Sequence, residues 1–315
     1  FKQLEAAVSI PIAEGLRTKL GGLWTKQDKG YFENEAGGPS EGGVTDDTWF
    51  EVQVEADLGE SATAWLRYSS SSWDQRGRTS NMVSPYYNTT SPIFLDGDPR
   101  GPNAFMRPEG LFPSSLYLYG TPNPGVDDHR KFSTNTPSSR KLDDQHQLVA
   151  ELSWNLGWAA LKYIGGYNQY TFTQVTDYDA TARISYPTPI VGTTVFPSIT
   201  AEYIEDKKFW SNELNLSSIQ DGPLQWIAGL YYYREKFRQP ITLYAPFQAQ
   251  IETPRIGAAT TPGYLFLPAA PNPDRIVFLS FGDLDTTATA AFGQIDYAFS
   301  DSFKVTAGLR YSKDE

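Results

Sequence analysis

The chain of 315 residues contains no cysteine. That absence removes disulfide staples, thiolate zinc sites and cysteine nucleophiles together, while leaving the compartment open. Histidine is nearly absent too: only His129 and His146 occur, 17 residues apart, so there is no His-Glu-x-x-His zinc pair. No apolar run approaches the roughly 18 residues of a membrane-spanning helix. Phe1-Lys2-Gln3-Leu4 leads directly into alternating sequence, so no signal peptide is expected in these residues. Positive charge is scarce, with 26 Lys and Arg against 37 Asp and Glu, a net charge of −11. Neutralising phosphates takes the opposite balance, so nucleic acid is not an expected partner. Phosphate-binding glycine loops and nucleophile elbows are lacking as well. Asp96-Gly97-Asp98 opens like a calcium loop, but its twelfth position is Arg107, where a bidentate Glu is needed. Asp127-Asp128-His129 reads as a solvated loop cluster. Carboxylates are numerous, yet no spacing singles out a glycosidase pair. No catalytic residue, metal or cofactor is therefore expected, and the chain is not read as an enzyme.

What the sequence has in quantity is aromatics, 14% of it, with 19 Tyr, 18 Phe and 8 Trp. It also has strict alternation, which puts every second side chain on one face of a strand. Leu4, Ala6, Val8, Ile10 and Ile12 oppose polar neighbours. Phe50, Val52, Val54, Ala56 and Leu58 oppose Glu51, Gln53, Glu55 and Asp57. Leu148, Ala150, Leu152 and Trp154 oppose Gln147, Glu151, Ser153 and Asn155. Near the end, Phe303, Val305, Ala307, Leu309 and Tyr311 oppose Lys304, Thr306, Gly308, Arg310 and Ser312. The pattern recurs about ten times in runs of roughly 9 to 13 residues, close to the 9 to 11 tilted residues that cross a bilayer.

The connections alternate in length. Short turns fall at Ala13-Glu14-Gly15, Gly59-Glu60-Ser61, Asn155-Leu156-Gly157, Gln220-Asp221-Gly222-Pro223 and Ser300-Asp301, all turn-forming residues. Long stretches run from about Tyr31 to Asp47, Asp74 to Gln145, Gln174 to Lys208 and Lys236 to Asp285. Four such loops in series are unusual in a compact soluble domain. Short turns on one rim and long loops on the other describe an outer-membrane barrel, with periplasmic turns and extracellular loops. Aromatics near strand ends suit its interfacial girdles: Tyr31 and Phe32, Trp49 and Phe50, Trp154 and Trp158, Phe209 and Trp210, Tyr231 to Tyr233, Phe303. A soluble β-sandwich also alternates, so on the residues alone a soluble binding module or glycan-active enzyme stays open. So does a passive porin-like channel.

Two stretches carry a family resemblance. Phe209-Trp210-Ser211-Asn212-Glu213-Leu214-Asn215-Leu216 is followed by Leu224-Gln225-Trp226-Ile227-Ala228-Gly229-Leu230-Tyr231-Tyr232. Phe292-Gly293-Gln294-Ile295-Asp296-Tyr297 is followed by Ala307-Gly308-Leu309-Arg310-Tyr311. These hairpins, together with the earlier stretch Leu161-Lys162-Tyr163-Ile164-Gly165-Gly166-Tyr167, resemble the barrel of TonB-dependent outer-membrane receptors. The resemblance implies an all-β, antiparallel, up-and-down transmembrane barrel segment of about ten strands, with residues 1–315 as part of one barrel domain. It further implies a plug inside the barrel, a TonB complex that supplies energy, outer-membrane lipid outside, and a scarce small-molecule or glycan ligand such as a siderophore, vitamin or sugar. Those properties belong to a Gram-negative outer membrane.

Two expectations follow at residue level. Val52, Val54, Leu152, Leu216, Val305 and Leu309 face lipid, while Glu55, Glu151, Glu213 and Arg310 face the lumen. In the loop from 74 to 145, Tyr86, Tyr87, Arg100, Tyr117, Tyr119 and Arg130 are candidate ligand-binding residues, because rings stack and guanidinium groups form charge-assisted hydrogen bonds.

Overall fold

The structure, a computed structural model, describes residues 1–76, 130–132, 134–178, 198–247 and 273–315, with the pairs 186–187, 194–195, 250–251 and 270–271. Alternation becomes ten strands: β1 Lys2–Ala13, β2 Leu16–Gln27, β3 Val44–Leu58, β4 Ala62–Arg76, β5 Ser139–Asn155, β6 Ala159–Asp177, β7 Thr200–Ser218, β8 Leu224–Tyr244, β9 Ile276–Ser300 and β10 Phe303–Asp314. They form one antiparallel sheet in sequence order, with β1 and β10 at its two ends. β1 pairs with β2, and β10 with β9. This is the expected meander, with two strands at its edges that do not bond to each other.

The short connections lie on one rim. Gly15, Gly59 and Gly157 hold φ of 71°, 73° and 86° there, a backbone setting that Cβ opposes elsewhere. The strand ends that flank the long connections, at 27 and 44, 76 and 139, 177 and 200, and 244 and 276, lie on the other.

Register fixes the two faces. One hydrogen-bonded row runs Leu16, Ala56, Ala64, Leu152, Tyr163, Leu214, Leu230, Ala291, Tyr311, without a single polar aliphatic or charged residue. The next row, on the opposite face, runs Arg17, Glu55, Trp65, Glu151, Ile164, Glu213, Tyr231, Ala290, Ser312. Val52, Val54, Leu216, Val305 and Leu309 share the first face; Arg310 shares the second. The first row begins at the first residue of β2 and ends well inside β10, eight positions past Phe303. Such a climb from strand to strand is the stagger that tilts strands in a barrel.

The apolar face is bounded by rings. Toward the loops it carries Trp24, Phe50, Tyr68, Tyr167, Trp210 and Tyr232, with Tyr167 and Trp210 in contact at 5.2 Å between centroids. The outward residue two positions further on is polar: Lys26, Thr48, Ser70, Gln169, Lys208 and Arg234 respectively. Toward the turns lie Trp154, Trp226, Tyr297 and Phe303, with Trp158 stacked on Trp226 at 6.5 Å and Phe299 tilted against Phe303 at 5.5 Å. An apolar belt between two aromatic rows identifies the lipid face, because amphipathic rings prefer the headgroup level.

Two expectations need correction. Four of the twelve proposed girdle residues point inward: Trp49, Phe209, Tyr231 and Tyr233 sit on the polar face, since adjacent residues of a strand must point to opposite sides. The strands are also longer than a bilayer needs, from 12 to 25 residues. β7 begins at Thr200 and β8 continues to Tyr244, inside stretches read as loop. There both faces are wet, so the apolar alternation that marks a membrane strand disappears although the ladder continues.

An outward amide side chain lies inside the belt. Asn212 sits between Leu214 and Trp210, and its Oδ1 accepts from Tyr163 Oη at 2.7 Å. Gly165, opposite Asn212, leaves the path for that ring: a Cβ there would come within 2.3 Å of the Tyr163 oxygen.

Candidate functional site

The inward face divides at the level of the outer ring row. On the turn side it is a lattice of ion pairs. Arg17 bridges Asp57 at 2.7 Å and Glu55 at 2.9 Å, Lys162 holds Glu151 at 3.0 Å, and Lys304 holds Asp296 at 3.2 Å. Arg67 donates to Gln147 at 2.6 Å and lies 5.9 Å from the ring of Trp65, which explains the one aromatic that interrupts the alternation of β4. This is a wet polar wall, suited to polar contents.

On the loop side the wall changes character. β6, β7 and β8 project beyond the ring row, and their inward residues build an aromatic and carboxylate surface. Lys207 Nζ lies 2.8 Å from Glu235 and between the rings of Phe209 and Phe237, at 5.7 and 5.8 Å. Tyr233 donates to the same carboxylate. Nearer the rim, Glu205 accepts from Tyr170 and, at 2.8 Å, from Tyr203, whose oxygen in turn accepts from Gln239 at 2.5 Å. Phe172 packs edge-on against Tyr203 at 6.0 Å and against Trp73 at 5.9 Å. Burial, and then the Glu205 carboxylate, push the phenols of Tyr170 and Tyr203 above their ordinary range, so both are held as neutral donors. Each carboxylate is thus presented by tyrosines, with rings on either side.

Three connections meet above this wall in a polar knot. Asn34 Nδ2 donates to the Thr134 carbonyl at 3.0 Å, Thr134 donates to Asp177, Asn135 Nδ2 donates to Ser198 at 2.9 Å, and the Ser138 amide donates to Glu41 at 2.6 Å. Asn34, Glu41, Thr134, Asp177 and Ser198 are all buried, as is Phe132. The knot ties 28–43 and 130–138 to the end of β6 and the start of β7.

Arg130 stands at the edge of this knot, exposed, its carbonyl accepting from the Glu33 amide at 2.7 Å. The other expected ligand residues, Tyr86, Tyr87, Arg100, Tyr117 and Tyr119, lie outside the described residues. His146 faces outward, with Nδ1 2.7 Å from the Tyr68 hydroxyl. Among the described residues no group of three or more His, Asp and Glu is placed to hold a metal ion. The sequence reading missed Tyr203, Glu205, Lys207 and Phe237 because it assigned them to loops. Their signal was present: Tyr203, Glu205, Lys207 and Phe209 keep the period of two, but in polarity that both faces share.

The comparisons with known proteins bear on this geometry. A family model described as "TonB dependent receptor-like, beta-barrel" matches residues 65–315. The chain belongs to that family. Its members are transport receptors built as outer-membrane β-barrels. Among solved structures, the ferric yersiniabactin uptake receptor FyuA from Yersinia pestis matches with a TM-score of 0.60 and 14% identity, over 99% of this chain and 36% of that one. The ferric-catecholate import receptor Fiu from E. coli K12, in its open form, gives 0.53 and 12%, over 99% and 42%. BauA, the ferric preacinetobactin receptor from Acinetobacter baumannii, gives 0.51 and 13%, over 99% and 39%. At such identities the likeness is one of fold. The receptor segment spans less than half the length of each of these structures. Curated proteins give no match.

Proposed function

We propose that residues 1–315 are part of the barrel domain of an outer-membrane receptor that takes up a scarce ligand, with further strands closing the wall and a plug filling the lumen. Open sheet edges are not sustained in lipid, since each unpaired backbone group costs several kcal/mol, so β1 and β10 require partners. The ion-paired inward face on the turn side suits a polar plug, and a TonB complex acting on that plug supplies the energy. The ligand is a small molecule or glycan, gripped by the connections together with the aromatic and carboxylate wall of β6 to β8. The observation that carries this reading is the wall itself, membrane-bound on one side and extended into an aromatic, inward-facing surface above the outer ring row.

Siderophore uptake is the first activity to test, because the three relatives named above are described as receptors for iron complexes. A strain lacking the gene is complemented with the intact receptor or with Tyr203→Phe/Lys207→Gln, and the uptake of a panel of labelled ferric siderophores, cobalamin and oligosaccharides is followed with and without the membrane energy supply. Energy-dependent uptake of one class, weakened in the variant at equal surface expression, is the expected result. Uptake that ignores energy would point to a passive channel instead.

A further inference from the structure

Two carboxylates on the inward face above the outer ring row are framed by the same parts and differ in one. Glu235 of β8 accepts from the Tyr233 hydroxyl. The ammonium that neutralises it, Lys207 Nζ at 2.8 Å, rests 5.7 Å from the ring centre of Phe209 and 5.8 Å from that of Phe237. Glu205 of β7, further from the membrane, accepts from the hydroxyls of Tyr170 and, at 2.8 Å, Tyr203. Phe172 packs edge-on against Tyr203 with centroids 6.0 Å apart. Among the described residues no ion pair reaches Glu205. Lys207 holds Glu235, and Arg140, inward on β5, faces Gln174 with β6 between it and Glu205. One group of tyrosine, carboxylate and rings therefore contains the protein's own ammonium, and the other does not.

The two phenols at Glu205 leave its charge in place. A neutral hydroxyl donates a hydrogen bond without cancelling the carboxylate, which offers about four acceptor positions. The tyrosines use one on each oxygen. Glu205, Tyr170, Tyr203 and Phe172 are all half-buried, which weakens the screening of that charge by water while leaving the group open to the lumen. Aromatic faces attract cations too, and more strongly where water is partly excluded. Lys207 shows which chemistry such a combination holds: an ammonium against the carboxylate, with rings beside it. We infer that Glu205, with Tyr170, Tyr203 and Phe172 around it, binds a protonated amine carried by the transported ligand. The ligand is then an amine-bearing compound, cationic or zwitterionic, rather than a purely anionic one. This inference rests on the uptake reading and adds to it the charge of what is taken up.

The test uses the intact receptor, purified in mild detergent, and three probes of similar size: para-fluorophenethylamine, para-fluorophenethyl alcohol and para-fluorophenylacetate. Binding is read by fluorine NMR. The amine is expected to bind most tightly. Glu205→Gln should lower its affinity by about tenfold, as for a lost charge-assisted hydrogen bond, while leaving that of the alcohol unchanged. Glu205→Asp should keep the preference for the amine, which separates charge from disturbed folding. Phe172→Leu should weaken the amine by about threefold. Glu202→Gln, which removes an outward carboxylate from the same end of β7, should change nothing. Equal binding of the three probes, an amine preference that survives Glu205→Gln, or one that Glu202→Gln abolishes equally would each overturn the assignment. Binding to the purified receptor needs no energy supply, so passive uptake in cells would count against the receptor reading and leave this site standing.

Discussion

Within a single strand the two halves of this wall obey different rules. The turn-side half of β7, Trp210 to Ser218, alternates with Asn212 as the exception inside the belt: Trp210, Leu214 and Leu216 face one way, while Ser211, Glu213 and Asn215 face the other. The loop-side half, Thr200 to Phe209, keeps the same ladder with polar residues outward, such as Glu202, Asp206 and Lys208, and rings inward, such as Tyr203 and Phe209. Backbone geometry is continuous across the boundary; the solvent is not. Hydrocarbon demands an apolar outer face, and once the strand leaves it the demand lapses, freeing the inner face to carry the aromatic residues that would meet a ligand.

The largest effect should come from placing charge in the belt. Val54→Arg, near the middle of the outward face, is expected to destabilise the barrel by about 2 to 4 kcal/mol, read from urea unfolding in lipid vesicles. The internal polar pair of the belt comes next. Tyr163→Phe strips Asn212 of its donor and should cost about 1 to 3 kcal/mol, whereas adding Asn212→Leu should restore most of the loss. Loss in both the single and the double variant would show that the ring packs rather than pairs.

Smaller still is the same arginine placed on the loop-side half. Ile204, outward on β7 opposite Thr173, should accept Arg at about 0 to 1 kcal/mol, so the ratio of the two arginine penalties sharpens the boundary between the halves. The mildest effect is spectroscopic. Folding raises the phenols of Tyr170 and Tyr203 above their unfolded value of about 10, so the stability they contribute is complete below that pH and is lost as pH rises through the folded value. In a tyrosinate titration the wild type should show a late-titrating fraction that shrinks in Tyr170→Phe.

The membrane half was legible in the sequence because one physical demand wrote it. Val52 and Val54 against Glu55, or Val305 and Leu309 against Arg310, could be placed on opposite faces from the alternation alone. Phe209 and Trp210 show where that logic stops: both looked like girdle residues, and only register assigns one to the lumen and the other to lipid. The candidate site was mostly illegible for the same reason. Lys207 sits between Asp206 and Lys208, and Glu205 beside Asp206, so the apolar alternation that marks a strand breaks down there, and Tyr170 reaches Glu205 only through pairing of two strands, 35 residues apart. The buried knot of Asn34 with Thr134, 100 residues apart, is a contact that no local pattern announces.

The central claim is that β7 crosses from lipid into water near Trp210 while its ladder runs on. Since the chain has no native cysteine, single cysteines from Glu202 to Leu216 can carry a spin label one position at a time in the intact, membrane-embedded receptor. Collision with oxygen, which concentrates in lipid, and with a water-soluble nickel chelate then reports each environment. From Trp210 to Leu216 the even positions should favour oxygen and the odd positions the chelate; from Glu202 to Lys208 both parities should favour the chelate. Oxygen preference at the even positions continuing out to Glu202, or at the odd positions within the belt, would contradict the account.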